Sequence, residues 1–287
     1  MRGALGLLAV LALTSGGRED TTPLTFALAG DVSVARGVAQ MNAPDWSAAL
    51  SEVRAALVAD ATFGNLESPL TTRPHQGNGL DLRGPPAGVT VLSDFTHLGV
   101  ENNHALDGGT TGQAQTRQVL RGEGLVPVAH ELTITRVRGV SIAWIAFFDD
   151  HRTPPPLTAI REGARRAQTV VVGVHWGMEY GPVTSRQRQL ARELASAGAD
   201  LIVGSGPHVL QGHERLGYTL VLYSLGNLLL DQPYPDTRVG AVVRATRAAQ
   251  GWSACAVPTR YRAGRVSPAN GRERPRILAR LGLEACR

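Results

Sequence analysis

Five short apolar runs in this 287-residue sequence end in side chains that can hold a metal or move a proton. Asp31 follows the run 25–29, Asn65 and Glu67 follow 61–63, and Asn102, Asn103 and His104 follow 97–100. His175 follows 170–174, and His208 follows 201–203 within Gly206-Pro207-His208. Carboxylates, carboxamides and imidazoles are the hard and borderline ligands that suit Mn, Fe, Zn or Mg, and no thiolate stands among them. Singly each is weak, because Asp after a strand commonly shapes a turn and an isolated His is as often structural as functional. Together, at five separate strand ends, they have the pattern of one metal or phosphate-type site. His75, His97, His130, His151 and His213 lack that context and are expected to be structural or surface groups.

These residues are spread over about 180 positions, so only the fold can gather them. In an α/β sheet the crevice outside the carboxyl ends of the strands does this. The pattern supplies such a fold: β-rich apolar runs alternate with segments of helical spacing. Trp46, Leu50, Val53 and Leu57 recur at intervals of three and four and predict an amphipathic helix, and further helices are predicted at 110–121, 159–167 and 185–197. Runs 132–137 and 140–148, split by Arg138-Gly139, predict a strand pair, and strands are predicted at 169–174, 201–203 and 220–225. The stretch 73–89, rich in Gly and Pro, reads as a long loop of the kind that often carries function.

Composition narrows the field. Hydrophobic residues make up 43% and charged residues 18%, which excludes a disordered chain or a coiled coil, and the length suits one large domain over 24–287. All 29 basic residues are arginine, scattered along the chain with a net charge of only +5, so no nucleic-acid partner is expected. Residues 1–17 combine Arg2, an apolar run from Ala4 to Leu13 and small residues after it, the layout of a signal peptide. Export to the periplasm, cell envelope or medium is therefore expected. Two cysteines, Cys255 and Cys286, are too few for a zinc ribbon; in an oxidising compartment they can form one disulfide, and otherwise remain two thiols.

The ordered set Gly30-Asp31, Asn65-Leu66-Glu67-Ser68-Pro69, Asn102-Asn103-His104-Ala105-Leu106-Asp107, His175 to Tyr180, Gly206 to Gln211 with Glu214, and Tyr223 to Asn227 resembles the CapA family. Its members are associated with bacterial capsule and poly-gamma-glutamate synthesis and share the calcineurin-like metallophosphoesterase fold. The resemblance implies a four-layer α/β/β/α sandwich with one or two divalent ions at an edge of its two sheets. It implies metal ligands at Asp31, Asn103, His175 and His208, with Glu67 or Asn65 as the bridging group. His104 would face the substrate as an acid or a charge stabiliser, oriented by Asp107, and Glu179, Glu214 and Asn227 would contact substrate. Two positions depart from the wider superfamily, which has an imidazole where this chain has Ser33 and another where it has Gly206.

The expected activity is that of a metal-dependent hydrolase acting in synthesis or processing of an extracellular polymer, on phosphoester or amide bonds, beside polymer-synthesis machinery at the membrane. Two other readings are a non-catalytic envelope protein that binds an anionic polymer, and a general phosphoesterase, which rests on fold analogy alone.

Overall fold

The structure is a computed structural model and describes residues 23–287, so the expected signal peptide at 1–17 lies outside the described residues. Fourteen strands are described: β1 (Leu24–Val32), β2 (Ala61–Leu66), β3 (His97–Gly99), β4 (Val126–Val128), β5 (Thr133–Val137), β6 (Val140–Phe148), β7 (Thr169–His175), β8 (Leu201–Ser205), β9 (Leu210–Leu216), β10 (Thr219–Leu225), β11 (Asn227–Leu229), β12 (Val239–Ala248), β13 (Gly251–Arg262) and β14 (Arg265–Pro268). The helices are α1 (Arg36–Asn42), α2 (Arg54–Leu57), α3 (Gly109–Gly122), α4 (Leu157–Arg166), α5 (Ser185–Ala197) and α6 (Glu273–Leu281). None is long and apolar enough to cross a membrane.

The strands form two sheets, ordered β14-β13-β12-β1-β2-β3-β4, with β11 also on β1, and β5-β6-β7-β8-β10-β9. In the first, β1 to β4 run parallel; in the second, β6, β7, β8 and β10 do. Side-chain alternation along β1 explains the stacking. Phe26 and Leu28 enter a core between the sheets with Phe63, Trp144, Val171 and Leu222, whereas Ala27 and Ala29 face a second core with Leu50, Leu57, Leu92 and Leu120. A third core, built by Ile145, Val172, Leu190 and Leu194, seals α4 and α5 on the outer face of the second sheet. Three cores between four layers give the expected α/β/β/α sandwich. At the sheet interface the buried ring of His97 lies on Trp144, with centroids 3.9 Å apart, confirming a structural histidine.

The helix expected from Trp46 to Leu57 is broken into a single 3₁₀ turn, Trp46–Ala48, and the short α2. Its apolar spacing still works, since all four periodic residues are buried. Local side chains draw the backbone into turns: Asp45 accepts the Ser47 N–H, and the Ser51 hydroxyl bonds the Ala48 carbonyl. Helix 185–197 and the β5–β6 hairpin form as expected, with Arg138 and Gly139 both left-handed in its two-residue turn. The antiparallel wing β12–β14 was not apparent from the apolar runs, because β13 and β14 mix buried with partly exposed residues and the buried run of β12 is confined to 240–243.

Candidate metal centre

The carboxyl ends of β1 and β2 meet those of β7 and β8 across the gap between the sheets. Asp31 arrives on a backbone that only glycine permits. A Cβ on Gly30 would stand 1.8 Å from the Gly226 carbonyl oxygen, the same oxygen that accepts the Asp31 N–H at 3.1 Å. The loop after β8 is constrained in a similar way: Gly206 is left-handed at φ 104°, and its N–H donates to Asp31 Oδ2 at 3.1 Å. The motif Gly206-Pro207-His208 therefore supplies a backbone donor where a longer side chain would collide with Trp176.

Asp31, Glu67 and His208 bring three ligand atoms within 4.8 Å of one another, all buried. His175 adjoins them, with Nε2 3.8 Å from Glu67 Oε1 and Nδ1 3.8 Å from Asp31 Oδ1. His208 Nε2 lies 3.6 Å from the same Glu67 oxygen. Each imidazole has a partner on its other nitrogen: Ser205 Oγ is 3.2 Å from His175 Nδ1, and Asn227 Oδ1 is 3.0 Å from His208 Nδ1. With each Nδ1–H given to those oxygens, the Nε2 of both rings faces the centre, the arrangement of outer partners that orients metal-binding histidines.

Glu67 is the decisive group. Its carboxylate is fully buried, and neither oxygen has a hydrogen-bond donor. Burial and the nearby Asp31 charge push its pKa well above the usual carboxylate range. For Asp31 burial acts in the same direction, but the hydrogen bond and charge of His208, aided by His175 and Asn65, hold it below its ordinary value. Burial lowers His175 to about 4, while for His208 the Glu67 and Asp31 carboxylates outweigh burial and raise it to about 10. Buried carboxylates without donors are expensive unless a cation completes them, so this donor set fits a divalent ion.

The other expected residues separate by role. Asn65 sits inside the cluster as an organiser: its Nδ2 donates to Asp31 Oδ1 at 2.8 Å, and its Oδ1 accepts from Asn102 at 3.3 Å. Asn103 is exposed, with no hydrogen bond to the cluster among the described residues. The buried neighbour Asn102 instead ties the loop to Asn65 and to the Leu66 carbonyl. His104 is largely buried, its Nδ1 2.9 Å from Asp107 Oδ2, and its charge reaches His175. Asp107 is fixed in turn by the Leu82 N–H at 2.8 Å, which gives the long loop 73–89 a purpose.

Glu179 is exposed at the mouth, close enough for its charge to act on Glu67. Two expected substrate contacts are placed otherwise. Asn227 is 1% exposed and grips His208, while Glu214 is taken by the Tyr223 hydroxyl at 2.6 Å and by Arg188 at 3.4 Å, outside the cluster. Ser33, where the superfamily has an imidazole, is buried and bonded to Ser68 Oγ at 2.8 Å, so that corner holds a hydroxyl pair. Sequence reasoning missed Ser205, whose residue type does not signal chemistry, and it named Asn102 without finding its part as the tie to Asn65. It also missed Tyr180, left-handed and half-exposed, whose ring centroid lies 6.2 Å from that of His208.

Comparison with known proteins bears on the fold and the family. A crystal structure of a phosphatase from Mycoplasma pneumoniae superposes with a TM-score of 0.56 at 13% identity, covering 91% of this chain and 98% of that one, which supports the fold. The chain is 37% identical over 216 residues to the PGA biosynthesis protein CapA of Bacillus subtilis, covering 64% of this chain and 57% of that protein. It is 28% identical over 265 residues to the capsule biosynthesis protein CapA of Bacillus anthracis, covering 79% of this chain and 64% of that protein. The chain thus spans about three fifths of the length of these curated relatives. Residues 25–232, which carry every ligand in the cluster, match the bacterial capsule synthesis protein PGA_cap, and the chain belongs to that family.

Proposed function

We propose that this protein is an exported, metal-dependent hydrolase that acts on an anionic capsule-type polymer, of the poly-gamma-glutamate kind, during its synthesis or processing at the cell envelope. The observation that carries this reading is Glu67: two buried, donorless oxygens beside the ligand atoms of Asp31 and His208. Asp31, Glu67, His175 and His208 would hold the ion, with Asn103 a further ligand from the exposed loop. A divalent ion there supplies Lewis-acid polarisation of the scissile group and activates a water nucleophile.

The chain's own residues supply the rest. Asn65 and the Gly206 N–H fix the Asp31 carboxylate, and Ser205 and Asn227 fix the two imidazoles. His104, its Nδ1–H held by Asp107, offers Nε2 to the leaving oxygen or amide nitrogen and delivers the proton that departure requires. The layout of residues 1–17 supports export, and the names of the relatives support a part in capsule-polymer synthesis. The protein would then work beside polymer-synthesis machinery at the membrane.

Metal analysis of the purified protein, paired with a screen of phosphoesters, poly-gamma-glutamate and peptidoglycan-type amides, tests the reading. His104→Ala should keep the metal and lower the hydrolytic rate by roughly 10²- to 10⁴-fold. Metal bound with no substrate turned over would favour the polymer-binding alternative.

A further inference from the structure

A groove of about 390 Å³ runs beside the metal centre and collects four arginines: Arg36 at the start of α1, Arg238 just before β12, and Arg260 and Arg262 near the end of β13. Two carboxylates oppose them. Asp231 lies 3.7 Å from Arg36 Nε and accepts the Gly37 N–H, and Glu273 pairs with Arg260. Among the described residues, Arg238 is engaged only through a long bond to the Gln232 carbonyl, and Arg262 has no carboxylate partner. Positive charge is therefore in excess, on side chains whose planar forks match carboxylates two contacts at a time.

The groove also has a direction. Gln232, on its wall, accepts from Asn227 Nδ2 at 3.1 Å, and Asn227 is the residue that holds His208. Gln232 Nε2 also reaches the Tyr180 hydroxyl at 3.5 Å, so one side chain joins the groove to the mouth of the centre. A small anion would occupy one of these arginines; four along a groove suit a chain that repeats its negative charge.

We infer that this groove binds an extended polyamide bearing a carboxylate on each repeat and leads it to the metal centre. The inference rests on the polymer reading given above, to which it adds the binding surface. Arg238 and Arg262 make the salt-sensitive contacts, and Gln232 marks the point where the chain passes to the catalytic mouth.

The test is fluorescence anisotropy with labelled poly-gamma-glutamate of defined length, at low and at physiological salt. The double variant Arg238→Gln/Arg262→Gln should weaken binding by about tenfold or more, a change equal to about 1.4 kcal/mol. The charge-matched control Arg161→Gln/Arg192→Gln, on α4 and α5, should stay within about twofold. Inorganic polyphosphate of equal charge should compete poorly. Equal losses in both variants would show non-specific attraction and overturn the groove, and polyphosphate competing as well as polyglutamate would overturn the ligand class. Metal content and phosphoester hydrolysis, measured on the same preparations, separate the two proposals: polymer binding without hydrolysis keeps the groove and removes the hydrolase, while hydrolysis without polymer binding does the reverse.

Discussion

The backbone N–H of Gly206 donates to Asp31 Oδ2 at 3.1 Å, joining two positions 175 residues apart and two different sheets. The bond accounts for the missing imidazole at position 206, because a left-handed φ of 104° and the Trp176 carbonyl leave no room for a side chain there. Gly206→Ala should destabilise the protein by about 1–3 kcal/mol, through strain and steric conflict, and weaken metal binding by freeing Asp31. Chemical denaturation and metal titration on one preparation check both parts.

Glu67→Gln should act in opposite directions on the metal-free and metal-loaded protein. Without the ion, wild-type Glu67 is a buried carboxyl group with no donor that must either carry a charge at a cost or take up a proton, and the amide removes that penalty. The variant should therefore be as stable as, or more stable than, chelated wild type, with a gain of about 1–3 kcal/mol. It should gain little stability on adding metal, whereas wild type should gain markedly. Thermal melts with and without chelator decide it, and a wild type unaffected by metal would refute the assignment of the ligand.

Asn227 touches His208 from outside the ligand set. Asn227→Ala should reduce metal affinity by roughly 10- to 100-fold, as losses of such outer partners do, with the fold retained. Asn227→Asp, which keeps the acceptor at the same place, should restore most of the affinity. A competition titration with a metal-sensing dye distinguishes the two variants.

The parts of this centre legible in the sequence were those whose residue types announce chemistry. Asp31, Glu67, His175 and His208 stand at the ends of apolar runs, and the sheet topology delivers them as strand-end spacing implies. Asn227 and Glu214, expected at the substrate, were hard to place because a polar side chain near a motif looks the same in sequence whether it faces substrate or props a neighbour; their burial and partners are visible only in the structure. Ser205 gave no signal, since serines are frequent and their meaning lies in what stands opposite them. Of the β12–β14 wing only Ala256-Val257-Pro258, similar to the family's closing strand, was legible; the rest escaped because partly exposed strands lack the long apolar runs that mark buried ones.

His97 should set part of the acid sensitivity. Burial lowers its pKa to about 4 from an ordinary 6.5, and it is wedged between Thr96 Oγ1 at 2.8 Å and Thr135 Oγ1 at 3.1 Å. The unfolded chain binds the extra proton between those values, so the stability is complete above about pH 6.5 and is lost as pH falls toward 4, by about 3 kcal/mol. His97→Gln should flatten that slope in urea titrations run from pH 7 to 4; an unchanged slope would assign the sensitivity elsewhere.

Cys255 on β13 and Cys286 near the end of the chain are disulfide-bonded, closing a loop with a sequence separation of 31. Reduction should cost about 3–4 kcal/mol in the chain-entropy account and first loosen the segment after α6. Hydrogen exchange of reduced and oxidised protein compares the two, and equal protection of residues 273–287 would contradict it.

The ligands of the centre are divided between the sheets, Asp31 and Glu67 from the first and His175 and His208 from the second. Neither sheet alone offers a complete set, so an ion cannot be captured while the chain is partly assembled. Metal loading thus becomes a check on finished folding. On the proposed export, the choice of ion would be made by the compartment in which the two halves finally close, and not by the one in which the chain was made.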